Sequence, residues 1–476
     1  GLFIEGFSDI PAFEAMALKA RLADKSIVAL KLGKSEKSQH ATLSHTATLA
    51  GGATASSALL QRLGIVEVNS VSEFIETLKI LDVIGPLTGS KISSISCSGG
   101  EASLMADAAH NSTLEFPDLN TKQCKKLTSV LGNKVTISNP LDYHTYVWGD
   151  VPSMTACFAT VMEGDFDLNI FVLDIPRPDK CETQGHQCAI DAIIAAQKQT
   201  HAKVAVITSL PENIDEAKTD EFHRHGVVVL HGLEIGLKPI EAAVAASKLL
   251  NIPQPDPVWL QTNAPIGNLS TLTESKAKRL LSKFGLAVPQ TKEIANKGDI
   301  EKYAKTLTYP LVLKSLGLAH KSDFGAVVLN IDSDISLRAA IEKVPVSPVG
   351  FLLEQMVDDT IVEIIIGVSR DTSGMLLLTM GAGGILTELI DDSASLLMPV
   401  TKSDVIQALS QLKINQILQG YRGAAAANIN SIVDAVMSVQ KYVEANKDSM
   451  VEIDINPLIV REQDALAVDA LVRQYT

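Results

Sequence analysis

Aromatic side chains are scarce here, at 4% of 476 residues, so the interior must be built from aliphatic side chains. Cysteine is scarcer still. The five present (Cys97, Cys124, Cys157, Cys181, Cys188) lack the density and spacing of a disulfide framework, which points to a reducing, cytoplasmic setting. Cys181, His186 and Cys188 lie near one another, but no fourth ligand stands by to complete a zinc site. No apolar run approaches the ~20 residues of a membrane span, and no signal-peptide pattern is visible. Nor is there any block of Lys and Arg. At a net charge of −14, nucleic acid and anionic membrane are excluded as main partners, since both reward clustered positive charge. The GxxxxGK[ST] loop is missing too, so any nucleotide chemistry is not of the P-loop kind.

What remains is an ordinary globular composition, 46% hydrophobic and 20% charged, on a chain long enough for two to four domains. Short β-branched runs alternate with amphipathic stretches: Ile27 to Leu32, Ile92 to Ser96, Leu168 to Leu173, Val204 to Thr208 and Val227 to Leu230. That alternation predicts α/β architecture, with parallel sheets flanked by helices. Gly85 and Pro86 mark one break. A polar stretch with Pro253, Pro255, Pro257 and Pro265 marks another, stiff enough to be a linker. The expected domains are 1–84, 88–250 and 266–476, with 251–265 between the last two. Because Gly1 opens directly on a strand-like run (Leu2 to Ile4), the front of a longer polypeptide is expected to be absent.

Three segments carry chemistry. The first is SHTATLAG, Ser44 to Gly51, which places His45 in a loop of small residues. Neutral imidazole can take up a phosphoryl group near pH 7 and split one transfer into two. Taken alone, a surface histidine in a turn is the plainer reading. The second is Ser98-Gly99-Gly100, after one strand and before the helical run Ala102 to Ala109. Backbone N–H groups at such a turn make an anion site, or it is a simple βα turn. Asn139-Pro140-Leu141-Asp142 should line the same sheet edge. The third gathers Lys314, His320-Lys321, Gly325, the run Gly381 to Gly384, Glu388, Asp392, Glu452 to Pro457 and Asp469. Lysine, a glycine loop and oxygen ligands on adjacent strands suit nucleotide phosphates and Mg²⁺.

Taken together and in order, these motifs resemble the ADP-forming acyl-CoA synthetases, relatives of succinyl-CoA synthetase, over nearly the whole chain. The resemblance implies flavodoxin-like ligase domains followed by a C-terminal ATP-grasp domain, using ATP, Mg²⁺ and coenzyme A on a small carboxylate. SHTATLAG resembles the family's SHTGALAG and implies that His45 is the phosphorylated histidine. Ile4-Glu5-Gly6 resembles the strand whose glutamate, here Glu5, holds the other ring nitrogen. LAHKSDFGAVVLNI and EIDINPL resemble ATP-grasp stretches. They imply nucleotide contacts at Lys314, His320, Glu354 and Glu363, metal ligands at Asn456 and Asp469, and a histidine-steadying role for Asp454. GYRG implies a phosphate contact at Arg422, beside the anion site at Ser98, Gly99 and Gly100. The sequence departs from the family at Ala47, at Gly374-Met375-Leu376 and at Leu396, which touches details of the nucleotide site.

For the acid, Asn139 and the segment Asp142 to Trp148 are the candidates. In a chain so poor in aromatics, Tyr143, Tyr146 and Trp148 crowd one predicted pocket. Aromatic faces attract onium groups, and the chain resembles the branch that makes the CoA thioester of dimethylsulfoniopropionate and then eliminates dimethyl sulfide. Glu182 is then the expected base. Trp148 as a lid over any small acid is the competing reading. A general acetyl- or propionyl-CoA synthetase, and a non-catalytic acetyltransferase-type regulator of the same fold, are the alternatives. The protein is expected to act as a homo-oligomer.

Overall fold

A computed structural model describes residues 1–34, 52–261, 267–316, 326–384 and 392–476. They form two compact units: among the described residues the first takes 1–34 and 59–255, and the second takes 52–58 together with those from 256 onward.

The first unit holds two parallel sheets. β1 (Leu2–Ile4), β2 (Val28–Lys31) and β3 (Val66–Val68) pair in that order. The second sheet comprises β4 (Ile92–Ser96), β5 (Leu141–Asp142), β6 (Leu168–Val172), β7 (Val204–Thr208) and β8 (Val227–His231). Its strands run in the order β5-β4-β6-β7-β8, all parallel. β4, β6 and β7 are buried along their entire length, as expected when helices cover both faces. Those helices start where the sequence supplies caps. Ser98 caps Gly99–His110, Asn120 forms a capping box on Thr121–Leu131, and Asp150 caps Val151–Met162. The two sheets are tied at the helix Val71–Val83, where Lys79 donates to His231 Nδ1 (2.8 Å) and pairs with Glu76 (2.6 Å).

The strand order decides where a ligand can sit. Counted within this sheet it is 2-1-3-4-5, the flavodoxin-like order, and it reverses between β4 and β6. Loops leaving the carboxyl ends of those two strands diverge there and open a crevice.

The second unit departs from the parallel pattern of the first. β9 (Leu269–Thr271) joins a seven-stranded sheet with β14 (Val362–Arg370), β15 (Leu376–Ala382), β16 (Ser393–Leu397), β17 (Met450–Val460), β18 (Ala465–Ala467) and β19 (Leu471–Tyr475). A second sheet, β10-β13-β11-β12, uses Thr291–Ile294, Leu311–Ser315, Val327–Ile331 and Phe351–Gln355 for β10, β11, β12 and β13. All their pairings are antiparallel. The reason is local in part: β14 and β15 are joined by a tight turn through Asp371 and Gly374 (φ +87), too short for a crossover helix. Behind the larger sheet the helix Ile429–Asn446 buries Ile432, Val436, Val439 and Tyr442 against β14 and β17 residues.

Candidate functional site

The crevice in the first unit is built around Ser98. Its hydroxyl accepts the N–H of Glu101 (3.3 Å), and its carbonyl accepts the Ser96 hydroxyl (3.1 Å). Gly99 and Gly100 open the helix Gly99–His110. A Cβ on Gly99 would lie 3.3 Å from the Asp142 carboxylate, whereas one on Gly100 would meet nothing closer than Ser98 Oγ at 3.9 Å. Protein packing therefore does not demand glycine at 100, while close approach of a ligand to the helix N-terminus would.

Around this turn the structure redistributes the expected substrate contacts. Asn139 is a strut: its amide nitrogen donates to Ile92 O and Pro117 O (2.9 Å each), and its oxygen accepts Ser94 N–H (3.0 Å). Tyr143 corrects the expectation outright. It is 3% exposed with its ring edge-on to Phe158 (5.1 Å), a core side chain with no face left for a ligand. The exposed aromatic surface is instead Tyr146, 66% accessible, stacked on His144 (5.4 Å). Trp148 is half-buried. Its indole N–H donates to Gly185 O (3.0 Å) and its ring meets His186 edge-on (5.8 Å). Glu182 lies exposed in the same loop as Gly185 and His186.

Glu101 went unnoticed in the sequence. It is half-buried at the third position of the glycine-opened helix and accepts the Cys97 thiol (3.7 Å). Burial, with Asp174 adding repulsion, lifts its carboxyl above the usual range. Burial, followed by Glu101 itself, pushes the Cys97 thiol up to about 11. The signal was the acid placed directly behind Ser-Gly-Gly.

Glu5 follows β1, partly exposed. Its carbonyl accepts the ammonium of Lys31 (2.9 Å), a lysine only 2% exposed whose pKa burial pulls down. Lys31 was also missed, because a lysine ending a hydrophobic run reads as a strand terminus. His45 and the rest of SHTATLAG lie outside the described residues, as do His320, Lys321, Gly325 and Glu388.

In the second unit the expected nucleotide and metal residues fall on neighbouring strands within each of its two sheets, Lys314 and Glu354 on β11 and β13, Glu363 and Asn456 on β14 and β17. Lys314 on β11 is 7% exposed and donates to Glu274 Oε1 (2.7 Å), Glu354 Oε1 (3.1 Å) and Val468 O (2.7 Å). Burial works against its charge, but Glu274, Glu354 and Asp469 outweigh it and hold the ammonium's pKa above the usual lysine value. Glu363 on β14 sits against Gly384, where φ is +62 and any Cβ would run into the carboxylate. Gly384 N–H donates to Asn456 Oδ1 (2.9 Å), which fixes the glycine turn on β17. Glu452, Asp454 and Asn456 alternate onto one face of β17. Burial raises the Asp454 carboxyl, and Glu452 and Asp469 raise it further. Asp392 is structural, accepting the N–H groups of Lys413 (2.7 Å) and Ile414 (2.9 Å). Arg422 is exposed, in a left-handed conformation (φ +51) over the Tyr421 ring (5.2 Å).

Among the described residues, no group of three or more His, Cys, Asp or Glu is placed to hold a metal, and no helix is long and apolar enough to cross a membrane. Asp454, Asn456 and Asp469 nevertheless offer hard oxygens, and the strained charge on Asp454 is one a cation would relieve. Mg²⁺ takes only one or two carboxylates, with phosphate and water completing its shell, so this set fits it.

Comparison with known proteins identifies the family. The family model of an ATP-grasp domain matches residues 264–473, and that of a succinyl-CoA ligase like flavodoxin domain matches residues 1–81. The beta subunit of the ADP-forming acetate–CoA ligase II of Pyrococcus furiosus is 32% identical over 216 residues, covering 43% of this chain and 91% of that subunit. A trans-feruloyl-CoA synthase from an unknown prokaryotic organism is 27% identical over 99% of this chain and 68% of its own length. The ADP-forming acetate–CoA ligase I of Archaeoglobus fulgidus is 25% identical over 98% of this chain and 69% of that enzyme. Of solved structures, an acetyl-coenzyme A synthetase 1 of Ca. Korarchaeum cryptofilum with coenzyme A and Ca-AMPCP aligns at 26% identity and a TM-score of 0.41, over 43% of this chain and 93% of that one. Flavodoxin-like sheet, ATP-grasp unit and relatives lead to one conclusion: the chain belongs to the ADP-forming acyl-CoA synthetases, which are acid–thiol ligases.

Proposed function

We propose that this protein joins a carboxylic acid to CoA while cleaving ATP to ADP and phosphate, by way of a phosphorylated His45 and an acyl phosphate. One observation carries the reading. The same chain holds a glycine-opened helix at the switch point of a flavodoxin-like sheet and an ATP-grasp unit in which Lys314 and Glu354 lie on adjacent strands of one sheet, and Glu363 and Asn456 on adjacent strands of the other. We read 1–84 as the end of one ligase domain, 88–250 as a second, 251–265 as a linker and 266–476 as the ATP-grasp domain.

In this reading Lys314, Glu354 and Glu363 hold the nucleotide, with Arg422 and the region of His320 as further contacts. Asn456 and Asp469 hold magnesium, which when bound neutralises phosphate charge. His45 nitrogen takes the γ-phosphoryl as the bond to ADP breaks, while Asp454 steadies the ring. Glu5 steadies it for the second transfer, in which the acid's carboxylate oxygen takes the phosphoryl from nitrogen. N–H groups at Ser98, Gly99 and Gly100 stabilise the charge on the moving oxygens. The CoA thiolate then displaces phosphate from the acyl carbon.

For the acid we favour a cationic carboxylate, dimethylsulfoniopropionate, because the segment after Asp142 leaves Tyr146 exposed and Trp148 half-buried in a chain poor in aromatics, and aromatic faces attract onium groups. After ligation Glu182 removes the α-proton and the carbon–sulfur bond breaks, releasing dimethyl sulfide. A second reading is an uncharged acid of the general acyl-CoA synthetase kind. It draws on relatives named for acetate, 4-hydroxybutyrate and ferulate, and the same rings would stack on an aromatic acid.

Both levels are tested with full-length protein. Labelled ATP with Mg²⁺ should give acid-labile, base-stable label that His45→Ala abolishes; label persisting at full stoichiometry would move the role elsewhere. A panel of dimethylsulfoniopropionate, acetate, 4-hydroxybutyrate and ferulate, read by ADP release, ranks the acids. Dimethyl sulfide should appear with the first, and Trp148→Ala should raise its KM about tenfold. Equal use of acetate, with no loss in Trp148→Ala, decides for the second reading.

A further inference from the structure

Lys314 does not stand alone in its buried setting. Lys278, 2% exposed on the helix Glu274–Ser282, donates to Glu274 Oε1 (3.0 Å) and Val468 O (3.1 Å) and makes a closer contact with Glu354 Oε2. Lys314 uses the same three partners, with the other Glu354 oxygen. An ammonium has three donors. Both lysines therefore have all three engaged, and they share the acceptors between them.

The two lysines and two glutamates form a quartet that is electrically neutral in itself and 2–7% exposed, with Asp469 acting on Lys314 from outside it. It joins the four-stranded sheet, through Lys314 and Glu354, to the segment of the larger sheet that carries Val468 and its neighbour Asp469. Ion pairs this deeply buried are costly in desolvation and add little net stability, so their retention calls for another reason.

We propose that Lys278 is a positioning residue of the nucleotide site, offsetting the charge that Glu274 places beside Lys314. Two glutamates facing Lys314 alone would hold it tightly and repel an incoming phosphate. Lys278 supplies the second positive charge, so each carboxylate is shared and Lys314 can exchange an acceptor for a nucleotide oxygen. Val468 O, held by both ammoniums, keeps Asp469 in register beside Lys314. This rests on the reading that Lys314 contacts the nucleotide's phosphates.

The charge balance sets the test, by titration calorimetry of Mg·ADP into the full chain, with melting curves confirming that each variant is folded. Lys278→Met leaves the quartet with a net negative charge and should weaken Mg·ADP about tenfold. Glu274→Gln removes a competing anion and should bind at least as tightly as the wild type. The double variant Glu274→Gln/Lys278→Met is neutral again and should recover most of the lost affinity, a rescue that a merely packing role for Lys278 would not give. Wild-type affinity in Lys278→Met, or a double variant no better than the single one, overturns the proposal. Should Lys278→Met not fold, weakened binding in folded Glu274→Gln overturns it equally. Lys314→Met separates the two levels. If it loses affinity while Lys278→Met does not, only the positioning role falls; if it too binds normally, the phosphate contact falls with it.

Discussion

Ionised Asp454 is at odds with its surroundings. Burial disfavours its charge, and Glu452 and Asp469 repel it. Its native pKa is therefore raised, so the folded state holds the proton more tightly than the unfolded one. The resulting stability is present at low pH and is lost as pH climbs from about 4 through the raised native value. At pH 7 without Mg²⁺ the carboxylate is a liability. Asp454→Asn should then raise the melting temperature by about 2–4 °C, allowing for solvent screening of a partly exposed group, and flatten the acidic limb of the stability profile. Phosphorylation of His45 should fall in the same variant. Calorimetry between pH 4 and 8 decides it: an unchanged or lower melting temperature at pH 7 would show that Asp454 is already compensated.

At the scale of elements, two glycines separate a turn where packing requires glycine from one where it does not. Gly384 has φ +62 and abuts Glu363, and its N–H anchors Asn456. Gly100 lies in a helix with open space where its side chain would be. Gly100→Ala should therefore stabilise the first unit by about 0.5–1 kcal/mol while slowing ligation, because the new methyl occupies the space beside the helix N-terminus. Stabilisation with undiminished turnover would remove Gly100 from the phosphate site. The sequence reading put glycines in both places but could not separate these cases, since the distinction lies in what each Cβ would meet. The same limit explains Asn139 and Tyr143. Their neighbours in sequence marked a pocket, and only packing against Pro117 and Phe158 shows them facing inward.

At the scale of the molecule, each unit has its own apolar core: Ile95, Phe158 and Val206 belong to one, and Ile364, Val436 and Tyr442 to another. The residues proposed to hold the nucleotide, Lys314, Glu354 and Glu363, fall in the second unit. Mg·ADP at about a hundred times its Kd should add ~2.7 kcal/mol to that unit. Its melting should rise by roughly 5–10 °C, with EDTA weakening the effect. Scanning calorimetry should show the shift confined to one transition. A shift in the transition of the unit holding β1–β8 would place the nucleotide elsewhere.

By itself the sequence determined what short-range chemistry can write: buried aliphatic strands alternating with helices, glycine turns ahead of helix starts, and the ordered motifs around His45, Lys314 and Asn456. The strand Ile27 to Leu32 forms as Val28–Lys31, and the helix expected from Ala102 begins at Gly99. Tertiary structure alone decided strand direction. β11 (LVLKS) is as short and as fully buried as the parallel β7 (VAVIT), yet it pairs antiparallel, because a run of buried residues carries no sign of which way its neighbour runs. It also decided the buried quartet. Glu274 and Lys278, four residues apart on a helix, have the spacing of an ordinary surface pair; packing against Glu354 and Val468 turned them inward, and burial is what gives their charges leverage over Lys314.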